Sequence, residues 1–221
     1  IYEFNFCLKL NAFINEISKI AKDHKVSFKD LEKSVKTDKR ISPYAYLRPG
    51  NAFSGGTLAR DVNFLINEGK KSSHNTKLLE SILISNKIHS QWVEKIIYSQ
   101  KNFDQMKILQ IGLSYTSGTT TLRQSLPYAV FKRLKNFFYI KIYDQFLKKN
   151  SIEVEKLKKY FKFNKKKDKF LIFVIFNDDN NFNVIKNFIT KKTLIVDING
   201  YYKNIYIKNN LKYKSLEYEA S

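Results

Sequence analysis

Two short, largely apolar runs, the first of them unbroken, constrain the fold of this chain more than any other feature. Residues 170–176 are Phe-Leu-Ile-Phe-Val-Ile-Phe, and residues 193–198 are Thr-Leu-Ile-Val-Asp-Ile. Runs of this length are too short to span a bilayer, and the lack of alternation is typical of strands buried on both faces. A helix candidate at 181–188 lies between them. Buried strands separated by a helix predict a parallel sheet covered by helices.

The same alternation begins upstream of these runs, at Met106. We predict a strand within 106–113, a helix over 120–136, a strand over 137–143 and a helix over 151–161. After the second apolar run we expect a short strand at 202–207 and a closing helix at 211–219. The second half of the chain is therefore predicted to be an α/β, mostly parallel, layered sheet with flanking helices.

The N-terminal part carries only helical patterns. Apolar residues recur at helical spacing across 8–23, and Ser27 with Asp30 resembles a capping box for a short helix that follows. Further helices are predicted at 58–67, 77–85 and 89–99, and residues 38–56, with two prolines and three glycines, are predicted to be a loop. We therefore divide the chain into a helical region, 1–104, and an α/β domain, 105–221.

The charge of the chain favours a polyanionic partner. Its net charge is +20, and residues 132–169 hold fourteen Lys or Arg against four Asp or Glu, interleaved with aromatic residues. A phosphate backbone releases counterions when it meets lysines, so nucleic acid is the natural partner of such a surface. A solvated basic surface without a ligand is the alternative.

Ten basic residues are predicted to contact RNA phosphates. Three arginines flank the proline- and glycine-containing loop, and an arginine's planar fork suits phosphate. The other candidates lie in the α/β domain, among them a run of three lysines. The set is Arg40, Arg48, Arg60, Arg123, Lys132, Arg133, Lys135, Lys165, Lys166 and Lys167.

Two other segments could carry chemistry. The polar turn at 114–120 follows a strand and resembles the phosphosugar loop of sugar isomerase domains, but it lacks the glycine spacing and the lysine of a P-loop. Asp178, Asp179 and Asp197 lie near the ends of two strands, where a nuclease could hold a metal ion. Ordinary capping and turn chemistry also explains both segments.

The remaining reactive side chains point to no cofactor. His24, His74 and His89 are scattered without ligands at metal-binding spacing, and Cys7 has no identifiable base partner. We therefore predict no metal, no cofactor and no catalytic residue.

The composition suggests an organellar gene. Lysine outnumbers arginine 35 to 5, and the chain has 21 Asn but only seven Ala and seven Gly. This bias favours residues encoded by A and T bases. It predicts a mitochondrial location, and it also means that part of the lysine surplus reflects base composition.

Four segments of the second half of the chain follow one another in a characteristic order: Lys-Ile-Leu-Gln-Ile-Gly at 107–112, Leu-Ile-Phe-Val-Ile at 171–175, Ile-Val-Asp-Ile-Asn at 195–199 and Ile-Lys-Asn-Asn at 207–210, followed by the predicted closing helix. In these segments the chain resembles the small-subunit ribosomal protein two family. Residues 41–46 are weakly similar to an early segment of that family. The resemblance covers roughly residues 105–220 and implies a layered α/β fold that docks on ribosomal RNA.

These observations lead to one functional hypothesis. We predict a structural, non-enzymatic component of a mitochondrial small ribosomal subunit that binds ribosomal RNA and neighbouring ribosomal proteins, with no membrane partner and no small-molecule substrate. The alternatives are a sugar-phosphate-binding isomerase-type domain and a basic metal-dependent nuclease.

Overall fold

The chain folds into two compact units, which we describe separately. The computed structural model describes residues 2–45, 47–54, 56–100, 106–147, 152–164, 168–178, 186–209, 211–216 and 219–220. The first unit is Ile1–Gln91 and the second is Trp92–Ser221. The domain boundary predicted after residue 104 falls within the second unit.

The first unit is helical, as the sequence predicts. Its helices are α1 (Tyr2–Asp23), α2 (Phe28–Val35), α3 (Gly56–Lys71) and α4 (Lys77–His89). Leu8 and Ala12 of α1 pack against Val62 and Ile66 of α3 and Ile82 of α4. The predicted cap of α2 is present, because the Ser27 hydroxyl accepts a hydrogen bond from the Asp30 backbone N–H at 3.4 Å.

The second unit is an α/β sheet with flanking helices. In chain order its elements are α5 (Trp92–Tyr98), β1 (Lys107–Ile111), α6 (Leu126–Leu134), β2 (Tyr139–Tyr143), α7 (Ile152–Glu155), α8 (Lys158–Phe161), β3 (Ile172–Ile175), a 3₁₀ turn (Lys186–Phe188), β4 (Leu194–Asp197), α9 (Lys203–Lys208), β5 (Lys212–Lys214) and β6 (Glu219–Ala220). The strand order is β2-β1-β3-β4-β5-β6. β1 to β5 pair in parallel, and β6 pairs antiparallel with β5.

Burial explains the strand patterns. Every residue of β3 and of β4 is buried, since helices cover both faces of a central parallel strand. β2 lies at the edge, and its buried residues alternate with more exposed ones. The predicted fold class, a mostly parallel α/β sheet preceded by a helical region, is confirmed.

Two element predictions near the C-terminus are wrong. The predicted strand at 202–207 is helical, because Tyr202 and Tyr206 are four residues apart and both turn inward. The predicted closing helix at 211–219 contains β5 and β6 instead, and only the middle residue of β5, Tyr213, is buried. Of the helix predicted at 181–188, residues 181–185 lie outside the described part of the chain, and the rest is the 3₁₀ turn.

Candidate functional site

The carboxyl edge of the sheet contains a topological switch point. From β1 the chain runs outward to β2 and then returns to form β3 on the other side of β1. The connections that leave β1 and β3 therefore diverge, and the crevice between such connections is where open α/β sheets bind ligands. We take this edge as the candidate site.

Gly112 and Asn177 join the two strand ends. Gly112 follows β1 with φ +84°, and a Cβ at this position would lie 2.8 Å from the Asn177 side chain. Asn177 follows β3, is buried, and donates from Nδ2 to the Ser114 hydroxyl at 3.2 Å. Only glycine permits both this backbone conformation and this close approach.

Asp144 fixes the neighbouring loop. This fully buried carboxylate follows β2. Its Oδ2 accepts from the backbone N–H groups of Leu113 and Ser114, at 2.9 and 3.3 Å. Its Oδ1 accepts from those of Phe146 and Leu147, at 3.0 and 3.1 Å. One side chain therefore holds the ends of β1 and β2 in a set geometry.

Residues 114–121 form a compact loop rich in hydroxyl groups. The Tyr115 N–H donates to the Thr121 carbonyl at 2.8 Å, and the Thr119 hydroxyl donates to the Thr116 carbonyl at the same distance. The Ser117 hydroxyl reaches the Asp178 carbonyl, beyond β3, at 3.3 Å. The loop therefore spans the switch point and presents polar groups to solvent.

This loop does not lead directly into a helix. α6 begins only at Leu126, capped by the Ser125 hydroxyl, which accepts from the Tyr128 N–H and donates to the Leu113 carbonyl at 2.7 Å. The predicted helix at 120–136 is thus shorter than expected, and Gly118 lies outside its first turn.

The two aspartates proposed for a metal are bound by tyrosines. Asp197 is fully buried at the end of β4, and its Oδ2 accepts from the Tyr202 N–H and the Tyr213 hydroxyl, both at 2.9 Å. Tyr202 in turn donates its hydroxyl to Asp178 at 2.9 Å. Burial raises the pKa of Asp197, although these hydrogen bonds oppose the shift. The third predicted aspartate, Asp179, lies outside the described residues.

In its described part, the carboxyl edge offers hydrogen-bonding groups rather than metal ligands. Within the described ranges, no three His, Cys, Asp or Glu side chains come together as metal ligands. Both oxygens of Asp144 and the Oδ2 of Asp197 accept hydrogen bonds from protein donors. The exposed side chains of the loop 114–121 include Thr116, Thr120 and Thr121, whose hydroxyls suit hydrogen bonding to a polar molecule.

A second polar cluster lies in the helical unit. Gly50 donates its N–H to Asn15 of α1 at 3.0 Å and accepts from His89 Nε2 of α4 at 2.8 Å. Asn86 of α4 both donates to and accepts from the Phe53 backbone at 2.9 Å. These bonds hold the loop 47–53 against two helices. Burial lowers the pKa of His89 to about 4, so the ring is neutral at pH 7.

The predicted RNA-contact residues are distributed over both units. Arg40 pairs with Asp38, Arg60 pairs with Asp61, and Arg48 lies exposed on the loop 47–53. In the α/β unit, Arg133 is ion-paired to the largely buried Glu94, whereas Arg123 is exposed between the loop 114–121 and α6.

The lysines of the predicted set are spread in the same way. Lys132 and Lys135 lie over aromatic rings of α6, with Nζ 4.7 Å from the Tyr128 ring centre and 5.9 Å from that of Phe131. Lys165, Lys166 and Lys167 lie outside the described residues. Whether any of the ten residues contacts a phosphate stays a prediction.

Sequence similarity gives the family context. Residues 4–88 match the model described as "UDP-glucose/GDP-mannose dehydrogenase family, central domain". The chain is 35% identical to a GDP-mannose 6-dehydrogenase of Pseudomonas putida over 136 residues, which are 60% of this chain and 30% of that protein. It is 32% identical to a UDP-glucose 6-dehydrogenase of Rickettsia bellii over 143 residues, 63% of this chain and 33% of that protein. The similarity is to nucleotide-sugar dehydrogenases.

Solved structures agree on the fold. A UDP-glucose dehydrogenase from Pyrobaculum islandicum superposes with a TM-score of 0.72 and 18% identity, covering 98% of this chain and 50% of that one. An NDP-N-acetyl-D-galactosaminuronic acid dehydrogenase from Methanosarcina mazei gives a TM-score of 0.73 at 14% identity, covering 99% and 50%. The chain therefore shares its fold with about half of each of these proteins, and its α/β unit is Rossmann-like. The chain spans about a third of the length of the curated relatives that it matches.

The ribosomal hypothesis is wrong. No ribosomal family model matches, and the relatives are enzymes named for small-molecule substrates. Three predictions are therefore wrong. They are that the chain is a structural RNA-binding protein, that it is not an enzyme, and that its partners are ribosomal RNA and ribosomal proteins rather than a small molecule. The apolar strands that carried the resemblance are common to many parallel sheets, and an A- and T-rich gene also increases the lysine content.

The two alternative functions fit no better. A sugar phosphate bound at the loop 114–121 would need a helix N-terminus directly after that loop, but α6 begins only at Leu126. Asp178 and Asp197 are bound to Tyr202 and Tyr213 rather than arranged around a metal position. None of the described helices is long and apolar enough to cross a bilayer. The mitochondrial location stays a prediction.

Proposed function

We propose that this chain is part of a nucleotide-sugar dehydrogenase and that its α/β unit binds the nucleotide end of a UDP- or GDP-linked sugar at the carboxyl edge of the sheet. The observation that carries the proposal is the switch point between β1 and β3, in a chain whose sequence relatives are UDP-glucose and GDP-mannose dehydrogenases. In this proposal the helical unit corresponds to the central domain of those enzymes.

The residues at the switch point would act by positioning. Asp144 and Asn177 hold the ends of β1, β2 and β3, so that the loop 114–121 keeps one conformation before a ligand arrives. A preorganised loop loses less conformational entropy on binding than a flexible one. The exposed hydroxyl groups of Thr116, Thr120 and Thr121 would hydrogen-bond to the ribose or phosphate oxygens of the nucleotide.

Arg123 is the proposed phosphate contact. It is exposed and is the only charged residue in the 24 positions between Lys107 and Lys132, in a chain that contains 40 lysines and arginines. An arginine fork can bind two phosphate oxygens at once, and a diphosphate offers several.

The oxidation step needs more than the α/β unit. A dehydrogenase transfers a hydride to an acceptor cofactor, which supplies the redox chemistry when bound. The seven glycines of this sequence do not form the G-x-G-x-x-G fingerprint of a dinucleotide site. We therefore assign the acceptor to no residue of this chain, and we restrict the proposal to binding and positioning of the nucleotide sugar.

Calorimetric titration with UDP-glucose and GDP-mannose tests the proposal. We expect the 221-residue chain to bind at least one of them, and Arg123→Ala to weaken that binding about tenfold, the loss of one charge-assisted contact. Arg123→Lys should restore part of the affinity. Lys132→Ala on α6 is the matched control and should change the affinity less than twofold.

Two results would overturn the proposal. One is a chain that binds neither nucleotide sugar at millimolar concentration. The other is an equal loss of affinity in Arg123→Ala and Lys132→Ala, which would indicate general attraction between the basic chain and an anion rather than a contact at the switch point.

A further inference from the structure

A pocket of about 350 Å³ lies at the amino edge of the sheet, the edge opposite the proposed nucleotide-sugar site. Its apolar lining, the floor, consists of the half-buried Met106 and Leu171 and the buried Ile172 and Leu194. The last three lie at or beside the first residues of β3 and β4. Lys191, Lys192 and Lys212 complete most of its wall. The strands between the two edges are four to five residues long, so roughly 13 Å separate this pocket from the switch point.

Local structure holds the backbone of all three lysines in place. Lys191 and Lys192 are the central residues of a turn in which the Thr193 N–H donates to the Thr190 carbonyl at 2.9 Å. The Thr193 hydroxyl also accepts from the Thr190 N–H at 2.9 Å. Lys212 begins β5 and pairs in register with Leu194, which pairs with Ile172.

Among the described residues, no acidic side chain balances the positive charge of this pocket's wall. None of its lining residues is acidic, and within the described part of the chain none of the three lysines has an ion-pair partner. Three ammonium groups around one pocket repel each other. An anion in the pocket would remove that repulsion, whereas water alone only screens it.

We propose that this pocket binds a small multivalent anion with an apolar group, of the nucleoside polyphosphate class. Three lysines offer flexible point charges to several phosphate oxygens, and the half-buried side chains of Met106 and Leu171 offer an apolar surface to a planar base. The volume is within the range of small-molecule sites. The pocket is a second ligand site, separate from the one at the carboxyl edge, and does not depend on the proposed function.

The test is calorimetric titration of the full chain with adenosine triphosphate, and separately with inorganic tripolyphosphate, in magnesium-free buffer. We expect both to bind, and adenosine triphosphate to bind at least threefold more tightly because its base contacts the floor. The triple variant Lys191→Ala, Lys192→Ala, Lys212→Ala should lose at least tenfold in affinity for both probes.

A charge-matched control separates a site from general attraction. Lys29, Lys33 and Lys39 are exposed lysines of the helical unit, and none has an ion pair in the described residues. Their triple alanine variant has the same net charge as the pocket variant and should lose less than twofold. Saturating UDP-glucose should not displace adenosine triphosphate, whether or not UDP-glucose itself binds.

Four outcomes overturn the proposal. They are absence of adenosine triphosphate binding by the unmodified chain, equal losses in the two triple variants, equal affinity for the two probes, and displacement by UDP-glucose. Displacement, combined with an unchanged affinity for adenosine triphosphate in the pocket variant, would place adenosine triphosphate at the carboxyl edge. It would leave the proposed function standing, so the two failures are distinguishable.

Discussion

The two edges of the parallel sheet use charge in opposite ways. At the carboxyl edge, the buried carboxylates Asp144 and Asp197 are bound by backbone N–H groups and tyrosine hydroxyls. At the amino edge, Lys191, Lys192 and Lys212 are exposed and line a pocket without a carboxylate. Charge at the first edge sets the geometry of the loops, whereas charge at the second is available to a ligand. The overall charge of +20 hides this division.

The largest expected difference between the two edges is in the unfolding free energy that is lost when a carboxylate is removed. Asp144→Ala leaves four backbone donors near the ends of β1 and β2 without an acceptor, and we expect a loss of about 4 kcal/mol of unfolding free energy. Denaturant unfolding followed by fluorescence of Trp92, the single tryptophan, measures it in the α/β unit.

The matched control is Asp168→Ala at the amino edge. Asp168 accepts from the Tyr139 hydroxyl and the Asn164 N–H in a partly exposed position, and its removal should cost about 1 kcal/mol. Similar losses in the two variants would mean that Asp144 does not organise its edge.

The second effect concerns the glycines of the carboxyl edge. Gly112→Ala would force a side chain into left-handed backbone against Asn177, and we expect a loss of about 3 kcal/mol. Gly118 has a similar φ, +76°, but a Cβ added there would meet no atom within 4 Å, so Gly118→Ala should cost about 1 kcal/mol. Equal melting temperatures for the two variants would contradict the close contact at the switch point.

The pH dependence of stability should have opposite signs at the two edges. Burial raises the pKa of Asp197, so its folded form binds a proton before the unfolded chain does. Its contribution is greatest at low pH and is lost as the pH rises through the folded pKa. Burial also acts to raise the pKa of Asp168, but hydrogen bonds from Asn164 and Tyr139 and the charges of Lys141 and Lys107 outweigh it and lower that pKa. Its contribution is present above about pH 4 and is lost below it.

Unfolding free energies of Asp197→Asn and Asp168→Asn, measured against the unmodified chain from about pH 3 to about pH 7, check these signs. On acidification, the unmodified chain should gain stability relative to Asp197→Asn and lose it relative to Asp168→Asn. Two differences that change with pH in the same direction would contradict the contrast between the edges.

The smallest effect on stability should come from the lysines. The alanine triple variant at Lys191, Lys192 and Lys212 removes exposed charges that have no ion pair in the described chain, so its unfolding free energy should change by less than about 0.5 kcal/mol per site. Thermal melts in low and high salt measure it. A large loss would show that the lysines are part of the folded scaffold rather than a ligand surface.

The sequence predicts the sheet better than it predicts the sites. The largely apolar runs of β3 and β4 are sufficient to predict buried parallel strands, and the polar turn at 114–120 and Asp197 are correctly placed at strand ends. The sequence does not reveal that Asp144 and Asn177 join strand ends, because Ser114, the partner of both, is 30 and 63 residues away along the chain. The bonds of Asp144 to the N–H groups of Phe146 and Leu147 are local and are those of an ordinary turn. An Asp that directly follows a strand is the only local signal for Asp144.

The functional prediction is wrong because a high density of positive charge does not show whether the lysines and arginines bind a nucleic acid or make contacts within the fold. The basic segment 132–169 contains Arg133, which neutralises Glu94, and Lys132, which lies over an aromatic ring, so part of its charge is used within the fold. The turn with Lys191 and Lys192 lies outside that segment. It becomes notable only when the strand register brings Lys212 beside it.

Hydrogen exchange in the presence of UDP-glucose, and separately of GDP-mannose, tests the central claim most directly. We expect one of these ligands to slow amide exchange in the loop 114–121 and at Asn177, and to leave the turn 190–193 unchanged. Slower exchange at 190–193 alone, or no change at either edge, would contradict the assignment of the carboxyl edge as the nucleotide-sugar site.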